Sequence, residues 1–243
     1  MPLIKFSEEQ DLLRKVVRDF VETEISPIAS KVDAEDLAPR EIFTKMGVVG
    51  FNGVLADADY GGAGLGHTER AIVLEEISRH SAGIALALMT HHLGVAAILA
   101  FGTPEQKAKY LPDLCSGAKV AALAVTEPGG GSDFMGQQAS AELSDGEWVI
   151  SGRKCFITNS AFADVSVVTA RTGVDDRGHP RITAFIVESG TQGFTAGRVE
   201  HKFGLRGSCM GDLSFDGVNI SQSAVLGEVG RGARVALSTI GEV

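Results

Sequence analysis

Apolar residues recur at helical spacing through the first half of the chain and in short alternating runs through the second. Leu12, Leu13, Val16, Val17, Phe20 and Ile25 fall on one helical face. Ser7 followed by Gln10 is a capping-box start, in which each side chain accepts the other residue's backbone N–H. Pro27 is expected to kink or end that helix, because proline offers no N–H. A shorter helix is predicted over 40–46 and, after the glycine-rich loop YGGAGLG (60–66), another near 68–80. In GTPEQKAKYLPDL, Thr103 serves as N-cap, Pro104 as first helical residue and Gln106 as its capping-box partner. The stretch Ala82–Phe101 between them carries no formal charge and has about the length of a bilayer span. Thr90, His91 and His92 lie at its centre, where polar groups are costly in lipid, so a helix buried on all sides is expected, not a membrane span. Five helices are predicted before residue 118.

Past that point the period changes. KVAALAVT (119–126) reads as a strand, and SAELSDGEWVISG (140–152) as a hairpin turning at Asp145-Gly146. VSVVTAR, ITAFIVE, FTAGRVE and DLSFDGVNI are further β runs, six or seven in all without intervening helices, which suggests a small antiparallel barrel or sandwich. Beyond Gly227, Val235, Ala236 and Thr239 return to helical spacing. The expected fold is α+β: an N-terminal all-α domain over 1–118, a middle β domain over 119–227, and the first helix of a further, C-terminal helical domain over 228–243.

Charge narrows the function. With 22 basic and 31 acidic residues the net charge is −9, which argues against generic nucleic-acid binding but leaves room for an anionic small ligand at a local patch. Cys115, Cys155 and Cys209 form no CxxC pair, so no metal site is expected and the thiols are read as reduced. MPLIKFSEEQ shows no charged segment followed by an apolar run, and the expected compartment is the cytoplasm.

Two stretches could carry chemistry. TEPGGGSD (126–133) lacks the Gly-Lys-Ser/Thr of a Walker loop and does not open a helix inside a βαβ unit. It is either a hard turn or a cradle in which glycines 129–131 bare their amides to a phosphate, with hydroxyls from Thr126 and Ser132. In KCFITNS (154–160), Phe156 and Thr158 stand two apart on a strand and so point the same way. Phe156 could cover an aromatic ring that Thr158 hydrogen-bonds, or be a core Phe beside a β-favouring Thr. His91 and His92 diverge on a helix and read as core or interface residues. Glu75 and Glu76 with Arg79 read as surface charge pairing. Arg153, Lys154, Arg206, Arg231 and Arg234 are either positive charge for ligand phosphates or solvated surface.

Taken in order, YGGAGLG, LEEISR, FGTPEQKAKYLPDLCSG, AVTEPGGGSD, VISGRKCFITN and KFGLRGS…LSFDGVNI resemble the acyl-CoA dehydrogenase family over essentially the whole chain. The resemblance implies three domains enclosing FAD and an acyl-CoA. Leu123, Val125 and Thr126 would line the flavin ring, with Thr126 bonding its pyrimidine side. Gly131 and Ser132 would meet the FAD pyrophosphate, and Ser132 also the CoA portion of the substrate. Phe156 and Ile157 would lie near the flavin, with the Thr158 hydroxyl at its N5, where a donor stabilises developing negative charge. Ala85 and Met89 would sit at the acyl pocket. The implied reaction is α,β-dehydrogenation of the thioester: a glutamate removes the α-proton, the β-hydrogen leaves as hydride to the flavin, and electrons pass to an electron-transferring flavoprotein.

The resemblance puts the glutamate base in the C-terminal helical domain, either late or on its first helix. Its register sets Val243 at that early position, and Glu242 one residue short, about 100° round the helix. No catalytic residue is therefore assigned within the chain. The expectation is an incomplete enzyme, acting as a homo-oligomer or with a chain that supplies the missing helices; the alternative is a non-catalytic subunit that binds flavin and CoA only with a partner.

Overall fold

The computed structural model describes residues 5–241. The Ser7 capping box forms as expected: the Ser7 hydroxyl accepts the Gln10 N–H at 3.2 Å, and Gln10 Oε1 accepts the Ser7 N–H at 3.0 Å. It opens helix α1 (Glu8–Phe20). Pro27 does not end the helical path. A π turn (Val21–Ile25) lets the Ser26 N–H reach back to the Val21 carbonyl, and a 3-10 turn (Ser26–Ile28) takes up Pro27. Helix α2 (Ala29–Glu35) then follows. Widening the turn upstream of the proline absorbs the hydrogen bond that its missing N–H would break. With α3 (Glu41–Val48), α4 (His67–Ser78), α5 (Ala82–Phe101) and α6 (Pro104–Ser116), six α-helices rather than five precede residue 118 among the described residues.

Helix α5 is the centre of the molecule. Among the described residues it alone is long and apolar enough to cross a membrane, and 67% of its most apolar window is buried inside the protein. Its small residues serve close packing: a Cβ on Gly94 would overlap Ala121, and one on Gly83 would overlap the Arg206 carbonyl. The two histidines are core residues, as expected. His91 Nδ1 accepts the Ala121 N–H at 3.1 Å, and His92 Nε2–H donates to the Phe51 carbonyl at 2.7 Å.

Strand β1 (Ala121–Ala124) follows and is buried on both faces. Ala121 and Leu123 pack with α5 and α6, while Ala122 and Ala124 join the core of the β half, which explains an apolar run without alternation. The remaining strands are β2 (Ser140–Ser144), β3 (Glu147–Thr158), β4 (Val165–Val174), β5 (Pro180–Glu188), β6 (Phe194–Val199), β7 (Met210–Ser221) and β8 (Val225–Leu226). They run in the order β6-β7-β3-β2-β4-β5-β8. Pairing is mainly antiparallel, with two departures from expectation: β1 lies parallel to β4, with Leu123 opposite Val167, and β2 meets β4 in parallel where Ser140 faces Arg171. The β2–β3 hairpin turns at Asp145 (φ 50°) and Gly146 (φ 84°), the double left-handed conformation that Asp-Gly favours.

Ion pairs fasten the pieces. The Arg40 guanidinium donates to the Phe162 carbonyl at 2.7 Å and Asp164 Oδ2 at 2.6 Å, tying α3 to the β half. Asp36, at the end of α2, accepts from Lys202 Nζ at 2.6 Å and the Gly207 N–H at 2.9 Å. Glu76 corrects the surface-pair expectation: it is 1% exposed and accepts from Arg14 (2.6 Å), Arg18 (2.9 Å) and Arg79 (2.8 Å), joining α1 to α4. Burial works against its charge, but the arginine hydrogen bonds outweigh it and hold its pKa at about 2. Helix α7 (Gly232–Gly241) buries Val235, Ala236 and Thr239 and exposes Leu237 and Ile240. Glu242 and Val243, which carried the base register, lie outside the described residues.

Candidate functional site

The site starts from a defect in β3. Its pairing with β7 slips between Lys154 and Ile157, and at this bulge Phe156 adopts φ 58°, left-handed backbone that a bulky residue occupies only under constraint. Strict alternation therefore fails here, and the inference that Phe156 and Thr158 share a face does not hold. Phe156 is 62% exposed, so it is not a core residue either, while Thr158 is buried. The Thr158 hydroxyl makes no hydrogen bond among the described residues.

The glycine-rich loop comes to the same place. Glu127 and Gly130 close a tight turn, with the Gly130 N–H on the Glu127 carbonyl at 3.0 Å. Pro128 and Gly129 form its corner, yet none of glycines 129–131 has a left-handed φ. A Cβ at Gly129 would meet nothing within 4 Å, and one at Gly131 would come no closer than 3.5 Å to Thr126. The turn is real, and it requires none of the three glycines. Their bare backbone faces solvent, with Ser132 exposed beside them.

Backbone and side chain lock loop and bulge together. The Cys155 N–H donates to the Thr126 carbonyl at 2.9 Å. Lys154, fully buried, donates to the Val125 carbonyl (3.0 Å), Glu127 Oε1 (2.7 Å) and Gln137 Oε1 (2.8 Å). Three acceptors around one nitrogen require all three protons of an ammonium. Burial pushes the Lys154 pKa down, and the Glu127 carboxylate works against that. The same carboxylate accepts the backbone N–H groups of Gln138 (2.6 Å) and Ala139 (3.1 Å). Lys154 is thus neither solvated surface nor a free phosphate ligand. Arg153 is paired with Asp212, and Arg206 is spent on the Asp33 carbonyl at 2.6 Å.

Beyond the bulge, Asn159 (φ 68°) donates to the Ala87 carbonyl of α5 (2.9 Å) and the Ala121 carbonyl of β1 (3.1 Å). That sets the end of β3 against the turn of α5 that lies between Ala85 and Met89. Ala85 is buried in the helical core and Met89 is half-buried. Leu123 and Ile157 turn their side chains into separate cores, and Val125 is half-buried. The structure thus gathers Thr126, Gly131, Phe156 and the backbone around Thr158, while Leu123, Ile157 and Ala85 serve packing. An open groove of about 840 Å³ lies elsewhere, lined by Gln106, Lys109, Tyr110 and Glu188, and no predicted site residue lines it.

Lys154, Glu127 and Asn159 escaped the sequence reading as organisers. A signal existed for one: the period-2 run Trp148, Ile150 carried forward puts Lys154 on the inward face.

Residues 7–118 match the acyl-CoA dehydrogenase N-terminal domain and residues 122–218 the middle domain of the same family. An acyl-CoA dehydrogenase of Bacillus subtilis is 40% identical over 235 residues, covering 96% of this chain and 62% of that protein. The butyryl-CoA dehydrogenase structure from Megasphaera elsdenii superposes with a TM-score of 0.93 at 33% identity, covering all of this chain and 64% of that one. An acyl-CoA dehydrogenase from Bacillus anthracis, solved in complex with FAD, gives 0.90 at 33% identity, covering 99% of this chain and 41% of that one. The chain thus spans less than two thirds of each of these relatives. On two domain matches, this identity and the joined glycine loop and bulge, it belongs to the acyl-CoA dehydrogenase family.

Proposed function

We propose that the chain supplies the N-terminal and middle parts of an FAD-dependent acyl-CoA dehydrogenase that desaturates an acyl-CoA thioester between its α and β carbons. One observation carries this: three consecutive exposed glycines that the turn does not need for conformation or space, in a loop whose Thr126 carbonyl takes the N–H of Cys155, next to a strained, exposed Phe156. Such a backbone lets a phosphate approach amides that a side chain would screen. Thr158 is 8% exposed, and its hydroxyl, which has no partner in the chain, is not among the buried polar atoms, so it stands open as a donor for a ligand. Both features fit FAD.

Bound FAD would supply the acceptor for the hydride that leaves the β-carbon. We assign Gly131 and Ser132 to its pyrophosphate, Thr126 and Thr158 to hydrogen bonds with the flavin, with Val125, Phe156 and the backbone of Ile157 beside the ring and the Leu123 strand behind it. Ser132 also serves the CoA portion, and the half-buried Met89 flanks the acyl chain, with Ala85 packed behind it. No carboxylate among the described residues is assigned the α-proton. Leu237 and Ile240 leave an apolar face on α7 that further helices would cover, which supports an oligomer or a chain supplying them. Family membership supports an electron-transferring flavoprotein as electron acceptor, and three buried unpaired thiols support the cytoplasm.

The test is the visible spectrum of the purified protein during anaerobic addition of saturated acyl-CoAs. Flavin absorbance that bleaches supports desaturation. Colour only after a second polypeptide is added, still followed by bleaching, supports an enzyme completed in trans. Flavin that binds and is never bleached supports the non-catalytic alternative.

A further inference from the structure

Resting on the flavin reading, we infer that Glu127 and Lys154 form a positioning pair that sets the distance between the glycine loop and the β3 bulge, and through it the affinity of the site for FAD. Glu127 lies within the loop that it organises, and its carboxylate ties down three groups at once: the Lys154 ammonium and the N–H groups of Gln138 and Ala139. Lys154 stands two residues before Phe156 and caps the Val125 carbonyl, one residue before Thr126. The loop on the FAD side and the bulge thus share one buried charge pair, and neither residue needs to touch the ligand to place the groups that do.

Both charges are satisfied inside the protein. Lys154 uses its three donors on Val125, Glu127 and Gln137, and Thr169 shares the Gln137 oxygen at 2.8 Å. Buried charge is costly, and a pair serving packing alone could be replaced by apolar residues without loss. What an apolar pair cannot do is hold two backbone amides and a carbonyl in fixed register. That register is the property a phosphate-binding loop needs.

Glu127→Gln, Lys154→Met and the double variant provide the test, with two readouts. In the chain without flavin, hydrogen exchange at the Gln138, Ala139 and Cys155 amides should quicken by about tenfold or more in Glu127→Gln, while the Asp145-Gly146 hairpin keeps its protection. In the protein saturated with FAD, with any polypeptide needed to complete it, each single variant should raise the FAD dissociation constant by about tenfold, and the double variant by no more than the worse single. Unchanged exchange at the three amides, or a dissociation constant within about twofold of the parent in folded Glu127→Gln, overturns the inference. Independent effects that multiply in the double variant also overturn it. A parent protein that takes up no FAD would defeat the flavin reading itself; the exchange experiment, which uses no flavin, would then decide whether the pair holds the loop.

Discussion

Phe156 and Thr158 each carry a cost or an unused capacity that the fold does not explain. A left-handed phenylalanine stores on the order of 1–3 kcal/mol of backbone strain, and here its ring gains little burial in return. Replacing it with glycine relieves the strain but adds unfolded-state freedom. Phe156→Gly should therefore keep unfolding stability within about 1 kcal/mol of the parent in denaturant melts. A core phenylalanine would lose about 3–5 kcal/mol when truncated, so a loss of that size would contradict the assignment of Phe156 to a ligand. Thr158→Val removes a hydroxyl that has no partner in the chain, and leaves no orphan behind. Thermal stability should hold or rise slightly, while anaerobic flavin reduction by acyl-CoA slows more than acyl-CoA binding weakens. Equal reduction rates would remove Thr158 from its role.

At the scale of elements, α5 and β1 depend on close approach and on neutral histidines. Gly94→Ala should cost about 1–3 kcal/mol, because the added methyl must displace β1 at Ala121; a neutral result in chemical denaturation would show that this contact yields easily. Burial, with His92 as neighbour, lowers the His91 pKa to about 3, and burial lowers that of His92 to about 4, both from 6.5. A folded pKa below the unfolded one gives stability that is whole above the unfolded value and is lost as pH falls towards the folded value. The melting temperature should accordingly decline as pH drops below about 6.5, and fall further below 4.5 as Glu76, held at about 2, adds its share. A flat profile between pH 7 and 5 would contradict buried, neutral histidines. These elements also show what was legible. The Ser7 and Thr103 caps, the Asp145-Gly146 turn and the buried α5 were readable because each depends on a few neighbouring residues or on composition. The slip in β3, the parallel β1–β4 pair and the inward Glu76 were not, because each is settled by residues distant in the chain, β7 for the bulge and Arg14 and Arg18 for Glu76; the passage through Pro27 turns on a local π turn that helical spacing does not mark. The site was legible as two motifs; the ion pair that joins them was not, because alternation puts Lys154 inward without saying that Glu127, 27 residues away, meets it there.

Over the whole molecule, the helical and β halves behave as one body around the strand that links them. Residues from α5, α6, β1, β4, β5 and α7 share one core, and Arg40 and Asp36 pin the halves at two further points. The glycine loop and the bulge stand at the exit of β1, where a rigid scaffold presents mobile-looking sequence in fixed geometry. On the proposed reading that geometry is one wall of the flavin site, and the chain spans 62% of its Bacillus subtilis relative. The most direct measurement is hydrogen exchange with and without saturating FAD, in the protein together with any polypeptide that completes it. Slowed exchange confined to amides 129–132 and 156–158, with the groove around Tyr110 and Glu188 unchanged, is the predicted result. Protection in that groove, or none at the glycine loop when FAD is bound, would contradict the assignment of this wall to the flavin.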